Sequence, residues 1–186
     1  MDRPSTKGIK GVDSFKGKSF PSSRWDHAIE LCGKRVACIG NGPSAAQFIP
    51  EVAEKASRLL VFQHSAAYVV PRNDRPYTDE ERKQFVNDHA ERQKSRHESW
   101  IPAFVSPGHE LGTGFTVLAR SHLEAQVADP VLREKRWPDY VLGCKRVVIA
   151  DDYYPALARP NVDVITDKIE QIKPTGVRTV DDTARS

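Results

Sequence analysis

Short apolar runs alternate with polar turns over residues 34–72 of this 186-residue chain. The run KRVACI at 34–39 is suited to a buried strand, and RLLVFQ at 58–63 repeats that pattern. Between these runs, SAAQFIPEVAEKA has apolar residues at helical spacing. The order strand, turn, helix, strand is typical of a parallel α/β sheet.

Residues 73–140 carry a different pattern, in which charged residues dominate and prolines separate helical stretches. Thr78 followed by Glu81 forms a capping box, which predicts a helix over residues 78–100 with one thinly covered, exposed face. A second helix is expected at about 116–128, where Asp129-Pro130 ends or breaks it. The sequence therefore predicts a helical insertion.

The strand pattern returns after the insertion. KRVVIA at 145–150 and NVDVIT at 161–166 are apolar runs, and KIEQI is followed by a Thr175-Gly176 turn into VRTV. We expect another parallel strand and then a hairpin, so that one sheet is interrupted and resumed. The predicted division is a linker at 1–33, a first part of the sheet domain at 34–72, a helical insertion at 73–140, the rest of the sheet domain at 141–180 and a tail at 181–186.

Composition and charge narrow the function classes. The formal net charge is +3, and the basic residues are spread along the chain, which argues against a nucleic-acid-binding arm. The sequence has no apolar run of about 18 residues that would predict a membrane span, and its start lacks the apolar core of a signal peptide. Cys32, Cys38 and Cys144 encode neither a disulfide framework nor a zinc site, so we expect a cytoplasmic protein.

Residues 40–45 (GNGPSA), here called the glycine turn, follow the first predicted strand and open the helix. They match GxGxx(G/A), the dinucleotide-binding fingerprint, although a turn chosen only for packing is the alternative. The first glycine allows the tight turn, the second lets a pyrophosphate approach the backbone, and the small sixth residue lets the helix pack on the strand. Proline at the first helical position leaves the remaining free N–H groups available to an anion. The candidate cofactor-binding residues of the turn are Gly40, Asn41, Gly42, Pro43, Ser44 and Ala45.

The end of the second strand distinguishes between cofactors. NAD-dependent enzymes place an Asp or Glu about 20 residues after the glycines to hold the ribose 2′-hydroxyl, whereas a 2′-phosphate favours a cation. Residues 62–65 are Phe-Gln-His-Ser, with no carboxylate, which favours NADP. His64 is either a donor to the 2′-phosphate or a solvent-exposed loop residue.

Residues 15–26, here called the fingerprint loop, resemble the pattern F-x-G-x-x-x-H-x-x-x-W-(P/D) of flavin-dependent monooxygenases of the Baeyer–Villiger type. Phe15, Gly17, Trp25 and Asp26 lie in register with that pattern, and Pro21 replaces its histidine. A tryptophan favours this group over the related N- and S-oxygenating flavin monooxygenases, which usually have Tyr or Phe there. The resemblance is strong over residues 11–72 and 138–180, and the insertion matches in helical character alone.

The resemblance implies a Rossmann-like NADPH-binding domain, with a parallel sheet flanked by helices, inside a longer flavoprotein with two dinucleotide-binding domains. Such enzymes use NADPH and FAD to insert one oxygen atom of O₂ into a ketone through a C4a-peroxyflavin. By resemblance, Lys145 contacts the NADPH phosphate and Arg146 is the catalytic arginine; from the residues alone they are two solvated side chains at a strand entry. His64 stands where most of the family has an arginine, so 2′-phosphate recognition is expected to depend more on Lys145.

No FAD-binding glycine motif precedes the fingerprint loop. The resemblance therefore implies that the chain corresponds to the middle of a longer enzyme, that the FAD site lies mostly outside it, and that the isolated chain is inactive. The expected substrate is a small ketone or a related molecule, and no nucleic-acid partner is expected. Two alternatives stay open: a nucleotide-binding remnant without catalysis, which Pro21 favours, and an N- or S-oxygenating enzyme.

Overall fold

The computed structural model describes residues 8–73, 75–90, 93, 110–181 and 184–185. Two compact units are present, here called the sheet unit (Met1–Ser65 and Pro155–Ser186) and the helical unit (Ala66–Tyr154). The strands are β1 (Arg35–Ile39), β2 (Arg58–Phe62), β3 (Val69–Val70), β4 (Val148–Ile149), β5 (Val162–Ile165), β6 (Ile169–Lys173), β7 (Gly176–Thr179) and β8 (Ala184–Arg185). The helices are α1 (Pro43–Lys55), α2 (Asp79–Asn87), α3 (Glu110–Gln126), α4 (Pro130–Arg136) and α5 (Tyr153–Leu157), with 3₁₀ turns at Val12–Ser14 and Ser22–Arg24. These bounds do not test the predicted limits of the linker, the insertion and the tail, which stay predictions.

The sheet unit contains a three-stranded parallel sheet in the order β1-β2-β5. The predicted order strand, turn, helix, strand is confirmed, with β1, α1 and β2 displaced by at most one residue from the predicted ends. NVDVIT supplies β5 and joins β2 in parallel, as expected. The fold is therefore the predicted mixed α/β arrangement with a parallel sheet.

Alternate residues of β2 are buried on opposite faces of this sheet. Leu59 and Val61 on one face have no solvent exposure, and α1, whose Ile49 is also fully buried, packs against this strand. Leu60 and Phe62 on the other face belong to a cluster with residues of the β6–β7 hairpin. Each such side chain stabilises the fold by roughly 1.5–3 kcal/mol relative to full exposure. Burial on both faces explains why RLLVFQ is continuously apolar.

Strand β1 lies at an edge of the sheet. Among the residues that the structure describes, β1 pairs with β2 alone. Ala37 and Ile39 are exposed, and Ile39 retains 49% of its accessible surface. The only buried residue of β1 is Cys38.

The predicted hairpin is present as β6 and β7 and is extended by β8. Its turn residues are Pro174 and Thr175 rather than the predicted Thr175 and Gly176, because Gly176 already belongs to β7 and pairs with Lys173. The linker lies along β6, where the backbone N–H of Ile172 donates to Lys10 O (2.8 Å). Gly11 has φ 77°, and a Cβ there would collide with the carbonyl oxygen of Ile172. Only glycine fits this contact, so Gly11 fixes the path of the chain into the fingerprint loop.

The helical unit contains α2, α3, α4 and a separate two-stranded parallel sheet of β3 and β4. Its core joins Tyr68, Val70, Ala119 and Leu142. The predicted capping box is confirmed: Thr78 Oγ1 accepts from Glu81 N, and the Glu81 carboxylate accepts from Thr78 N. Helix α2 has no buried residue, as its composition suggested.

The helix predicted for 78–100 is interrupted at Asp88, and the described residues 89, 90 and 93 beyond it are again helical. Helix α2 ends at Asn87, and Asp88 has an extended backbone (φ −124°, ψ 97°). Asn and Asp compete with the helix for backbone hydrogen bonds, and α2 has no buried face to resist them. The rest of the predicted helix, at 91–92 and 94–100, lies outside the described residues. The second helix begins earlier than predicted, at 110, and ends before Asp129, which caps α4 instead.

The prediction that KRVVIA resumes the main sheet is wrong. Only Val148–Ile149 form a strand, β4, and that strand pairs with β3 rather than with β1 or β2. A turn with Gly143 at φ 97° and a bond from Cys144 N to Val141 O (3.1 Å) immediately precedes this segment, and β3 provides only Val69 and Val70 as strand partners. The main sheet is resumed instead by β5. Within the described part of the chain, no helix has the length and apolarity to cross a bilayer.

Candidate nucleotide-binding site

The glycine turn joins the end of β1 to α1 in the conformation that its sequence predicts. Gly40 has φ 104°, which L side chains rarely adopt, and its N–H donates to Phe62 O (2.9 Å) at the end of β2. Gly42 is extended, and a Cβ added there would meet no atom within 4 Å. The space above Gly42 is therefore open to a ligand, while the strain that requires glycine lies at Gly40.

The N-terminus of α1 is suited to an anion. Pro43 occupies the first turn, and no side chain caps the helix at Gly42. Ala45 is buried with 6% exposure, as the packing role of the fingerprint requires. The N–H groups of the first turn and the positive end of the helix dipole attract a phosphate. These features fit the pyrophosphate of a dinucleotide.

The side chain of Asn41 links the glycine turn to the end of β2. Its Nδ2 donates to Ser65 O (2.8 Å) and to Gln63 Oε1 (3.3 Å). Gln63 is buried at 4% exposure, whereas His64 between these two partners is exposed. Gln63 and Ser65 were not predicted to contribute to the site, because neither side chain carries the charge that would bind a 2′-phosphate.

The fingerprint loop owes its Phe-x-Gly spacing to a contact within the loop. A Cβ on Gly17 would lie 2.7 Å from ring atoms of Phe15. The Phe15 ring also packs against the core cluster that β2 shares with the β6–β7 hairpin. The backbone N–H of Lys16 donates to Pro174 O (3.0 Å). Glycine at position 17 thus makes room for a ring that anchors the loop.

Trp25 connects the fingerprint loop to helix α1. Its ring centroid lies 5.2 Å from that of Phe20 and 5.3 Å from that of Phe48 on α1. Aromatic pairs in these tilted and edge-on arrangements contribute about 0.5–1.5 kcal/mol beyond their burial. Phe48 lies on α1, and the apolar spacing of that helix was its only signal in the sequence.

Pro21 and Asp26 shape the loop between these aromatic anchors. Pro21 precedes a 3₁₀ turn and accepts from Arg24 N (2.9 Å) through its carbonyl oxygen. The Asp26 carboxylate accepts from Ala28 N (3.0 Å) and is exposed. The loop at Pro21 is thus held through a backbone carbonyl, which a histidine also provides.

One groove of about 860 Å³ runs along the fingerprint loop, β1 and the glycine turn. Phe15, Gly17, Pro21 and Trp25 line it together with Gly40, Gly42, Pro43, Ser44 and Ala45. Asn41, His64 and Asp26 do not line this groove. Two sequence motifs that are separated along the chain therefore share one surface of the sheet unit.

Lys145 and Arg146 belong to the helical unit. The Lys145 ammonium lies over the Tyr140 ring, 4.3 Å from its centroid, and both Lys145 and Arg146 are exposed. A cation in this position is held by the ring quadrupole. Their proposed roles toward a cofactor remain predictions.

Charge at the bottom of the groove is disfavoured. Burial raises the pKa of the Cys38 thiol to about 12, and its sulfur donates to Gly40 O (3.3 Å). This thiol is therefore neutral at physiological pH and takes no part as a nucleophile. The described part of the chain holds no group of three or more His, Cys, Asp or Glu side chains that fits a metal ion.

A known protein family matches the part of the chain that contains the fingerprint loop and the glycine turn. The flavin-binding monooxygenase-like family matches residues 4–80. A Baeyer–Villiger monooxygenase of Streptomyces coelicolor is 40% identical over 179 residues, which are 93% of this chain and 34% of that enzyme. A second one, from Pseudomonas aeruginosa, is 36% identical over 187 residues, 95% of this chain and again 34% of that enzyme.

Solved structures give the same result for the fold. The crystal structure of OTEMO in complex with FAD and NADP matches all of this chain with a TM-score of 0.80 and 26% identity, over 43% of its own length. The resemblance to Baeyer–Villiger monooxygenases that the sequence indicated is confirmed. The chain spans about a third of the length of the curated relatives it matches.

Proposed function

We propose that this chain forms the NADPH-binding part of an FAD- and NADPH-dependent Baeyer–Villiger monooxygenase. The observation that supports this proposal best is the single groove that the fingerprint loop and the glycine turn line together. Two of its sequence relatives are Baeyer–Villiger monooxygenases, and the matched crystal structure was solved with FAD and NADP. The proposed reaction converts a ketone, O₂, NADPH and a proton into an ester, NADP⁺ and water.

The glycine turn is assigned to the cofactor pyrophosphate. The open space at Gly42 and the uncapped first turn of α1 fit a phosphate group that approaches the backbone. His64, exposed just after β2, is assigned to the 2′-phosphate, and Lys145 to a further phosphate contact. When bound, NADPH supplies the reducing equivalents of the reaction.

Arg146 is assigned as the catalytic arginine. A guanidinium keeps its charge at any physiological pH, so it stabilises negative charge that develops on oxygen during transfer. FAD, when bound, supplies the chemistry of the reaction with O₂. We assign most of its binding site to parts of the longer relatives that this chain does not match. The same proposal includes a ketone substrate. It also includes a cytoplasmic location for the protein, because its three cysteines form no disulfide.

Titration of the full chain with NADP⁺ and NADPH tests the binding assignment. We expect saturable binding in the micromolar range without flavin. If neither form binds at millimolar concentration, the assignment of the cofactor site is wrong. Calorimetry measures both affinities without a need for turnover.

A chimera tests the reaction itself. The matching third of the Streptomyces coelicolor enzyme is replaced by this chain, and NADPH-dependent ester formation from a ketone is measured. The same chimera with Arg146→Ala should oxidise NADPH without forming ester. With Pro21→His, more ester per NADPH is expected if the proline impairs the loop. A chimera that binds FAD and NADPH but forms no ester, even with Pro21→His, favours a nucleotide-binding remnant instead.

A further inference from the structure

The bonds of Asn41 suggest a role beyond the pyrophosphate site. The carboxamide of Asn41 lies at the second position of the glycine turn, where the fingerprint specifies no residue type. Asn41 does not line the groove, and its Nδ2 lies at the end of β2, 2.8 Å from Ser65 O and 3.3 Å from Gln63 Oε1. These two partners immediately precede and follow His64.

The arrangement holds both ends of a three-residue segment. Gln63 is also fixed through its backbone, since its N–H donates to Ile165 O (2.9 Å) on β5. At 4% exposure its side chain has little access to water, so the bond to Asn41 satisfies a buried acceptor. His64 is thereby the exposed residue between two anchored neighbours.

We infer that Asn41 is a positioning residue for 2′-phosphate recognition, which makes it a determinant of the preference for NADP over NAD. This inference rests on the proposed function. Asn41 acts through the 63–65 segment rather than through contact with the pyrophosphate, and it couples the turn to the strand end where the adenosine ribose is recognised. Loss of the carboxamide releases the carbonyl of Ser65 and the amide of Gln63, so His64 loses its fixed position.

The expected signature is a change in selectivity rather than in overall binding. Both cofactors carry the pyrophosphate, and only NADP carries the 2′-phosphate. A variant that loosens the 63–65 segment therefore weakens NADP⁺ more than NAD⁺, whereas a variant that damages the glycine turn weakens both alike. Thermal unfolding alone cannot produce this difference.

The test measures dissociation constants of NADP⁺ and NAD⁺ for the full chain by calorimetry. For Asn41→Ala we expect NADP⁺ to bind about tenfold more weakly and NAD⁺ to change by less than about threefold. Gln63→Met, which keeps the volume and removes the acceptor, should shift the same ratio in the same direction by a smaller factor. Ser44→Ala, in the same turn but without a bond to the 63–65 segment, is the control that should affect both cofactors alike.

Three outcomes separate the inference from the function on which it rests. Loss of the NADP⁺ preference in both variants supports the role of Asn41. An unchanged ratio in folded Asn41→Ala overturns it and leaves the cofactor site in place, and Gln63→Met gives the same decision if Asn41→Ala does not fold. If the unmodified chain binds neither cofactor, the proposed function fails and the inference falls with it.

Discussion

The Phe15 ring lies so close to Gly17 that any side chain at position 17 would have to displace it, with a Cβ at 2.7 Å from the ring atoms Cε1 and Cζ. Two residues of the fingerprint loop are thus coupled by steric exclusion. The ring reaches the core cluster of the sheet unit only because its neighbour has no Cβ.

Gly17→Ala should lower the free energy of unfolding by about 1–3 kcal/mol, because the ring must leave its packed position. Denaturant titration of the full chain measures this change. In a Phe15→Leu background the same substitution should have a much smaller effect, since leucine lacks the ring atoms that collide. Equal losses in both backgrounds would show that the contact does not explain the glycine.

Gly11→Ala should destabilise more than Gly8→Ala. Both residues have positive φ, 77° and 92°, and the conformational strain of an L residue there is about 1–2 kcal/mol. Only at Gly11 does the added Cβ also collide with the carbonyl oxygen of Ile172. Hydrogen exchange of the Ile172 amide, which donates to Lys10 O, should accelerate in Gly11→Ala alone. Similar exchange in both variants would contradict the collision.

Gly40→Ala and Gly42→Ala should separate folding from binding. Gly40 has φ 104°, so alanine there costs about 1–2 kcal/mol of stability. Gly42 has an ordinary φ of −73° and open space at its Cβ, so alanine should leave the melting temperature nearly unchanged. The same methyl group should weaken NADP⁺ binding by at least about tenfold, because it occupies the approach of the pyrophosphate. Full affinity in Gly42→Ala would place the pyrophosphate elsewhere.

Cys38 should resist alkylation at pH 8, while the exposed Cys32 and Cys144 react. Burial raises its pKa to about 12 from 9.0, so the thiolate that reacts is scarce in the folded chain. The folded state holds the Cys38 proton more tightly than the unfolded state does. The contribution of Cys38 to the free energy of unfolding is therefore constant below pH 9 and falls as the pH rises from 9 toward 12. Mass spectrometry after iodoacetamide treatment, with and without urea, checks the order of labelling. Early modification of Cys38 would show that the thiol is accessible.

The pKa of Glu81 should lie well below the ordinary glutamate value of 4.5. The Arg75 guanidinium donates to its carboxylate at 2.6 and 2.9 Å, and the backbone N–H of Thr78 adds a bond at 2.8 Å, which together lower its pKa to about 2 from 4.5. A depressed acid pKa means that the capping contribution is complete above pH 4.5 and is lost as the pH falls through about 2. Carbon NMR of the Glu81 carboxyl measures this midpoint, and Arg75→Gln should raise it. A midpoint near 4.5 would show that the cap does not persist in solution.

Local features of the site could be predicted because short stretches of sequence determine them. The strand before the glycine turn, the helix after it and the cap at Thr78 all follow from spacing and residue type. The bonds of Asn41 to Gln63 and Ser65 could not be predicted, because they depend on how β1 and β2 align across the sheet. Asn41 is 22 positions from Gln63 and 24 from Ser65, and sequence spacing alone does not show that they are neighbours.

Two errors have a common physical origin. The helix predicted for 78–100 is interrupted at Asp88, and the strand predicted at 145–150 is limited to Val148–Ile149. In both regions the pattern was correct in type, and the tertiary partners decided the length. A helix without a buried face is interrupted where its propensity falls, as at Asp88, and β4 extends only as far as its partner β3.

The pairing of β2 with β5 has a consequence for how this chain folds. Arg58 and Asp163, which form an ion pair across these strands at 2.9 Å, are 105 positions apart in sequence. The β1–α1–β2 segment needs only short loop closures, whereas β5 joins after the intervening chain has been brought together. We expect the early folding nucleus to be β1, α1 and β2, with β5 docking late. The rate of refolding would then respond to substitutions in α1 far more than to substitutions in β5.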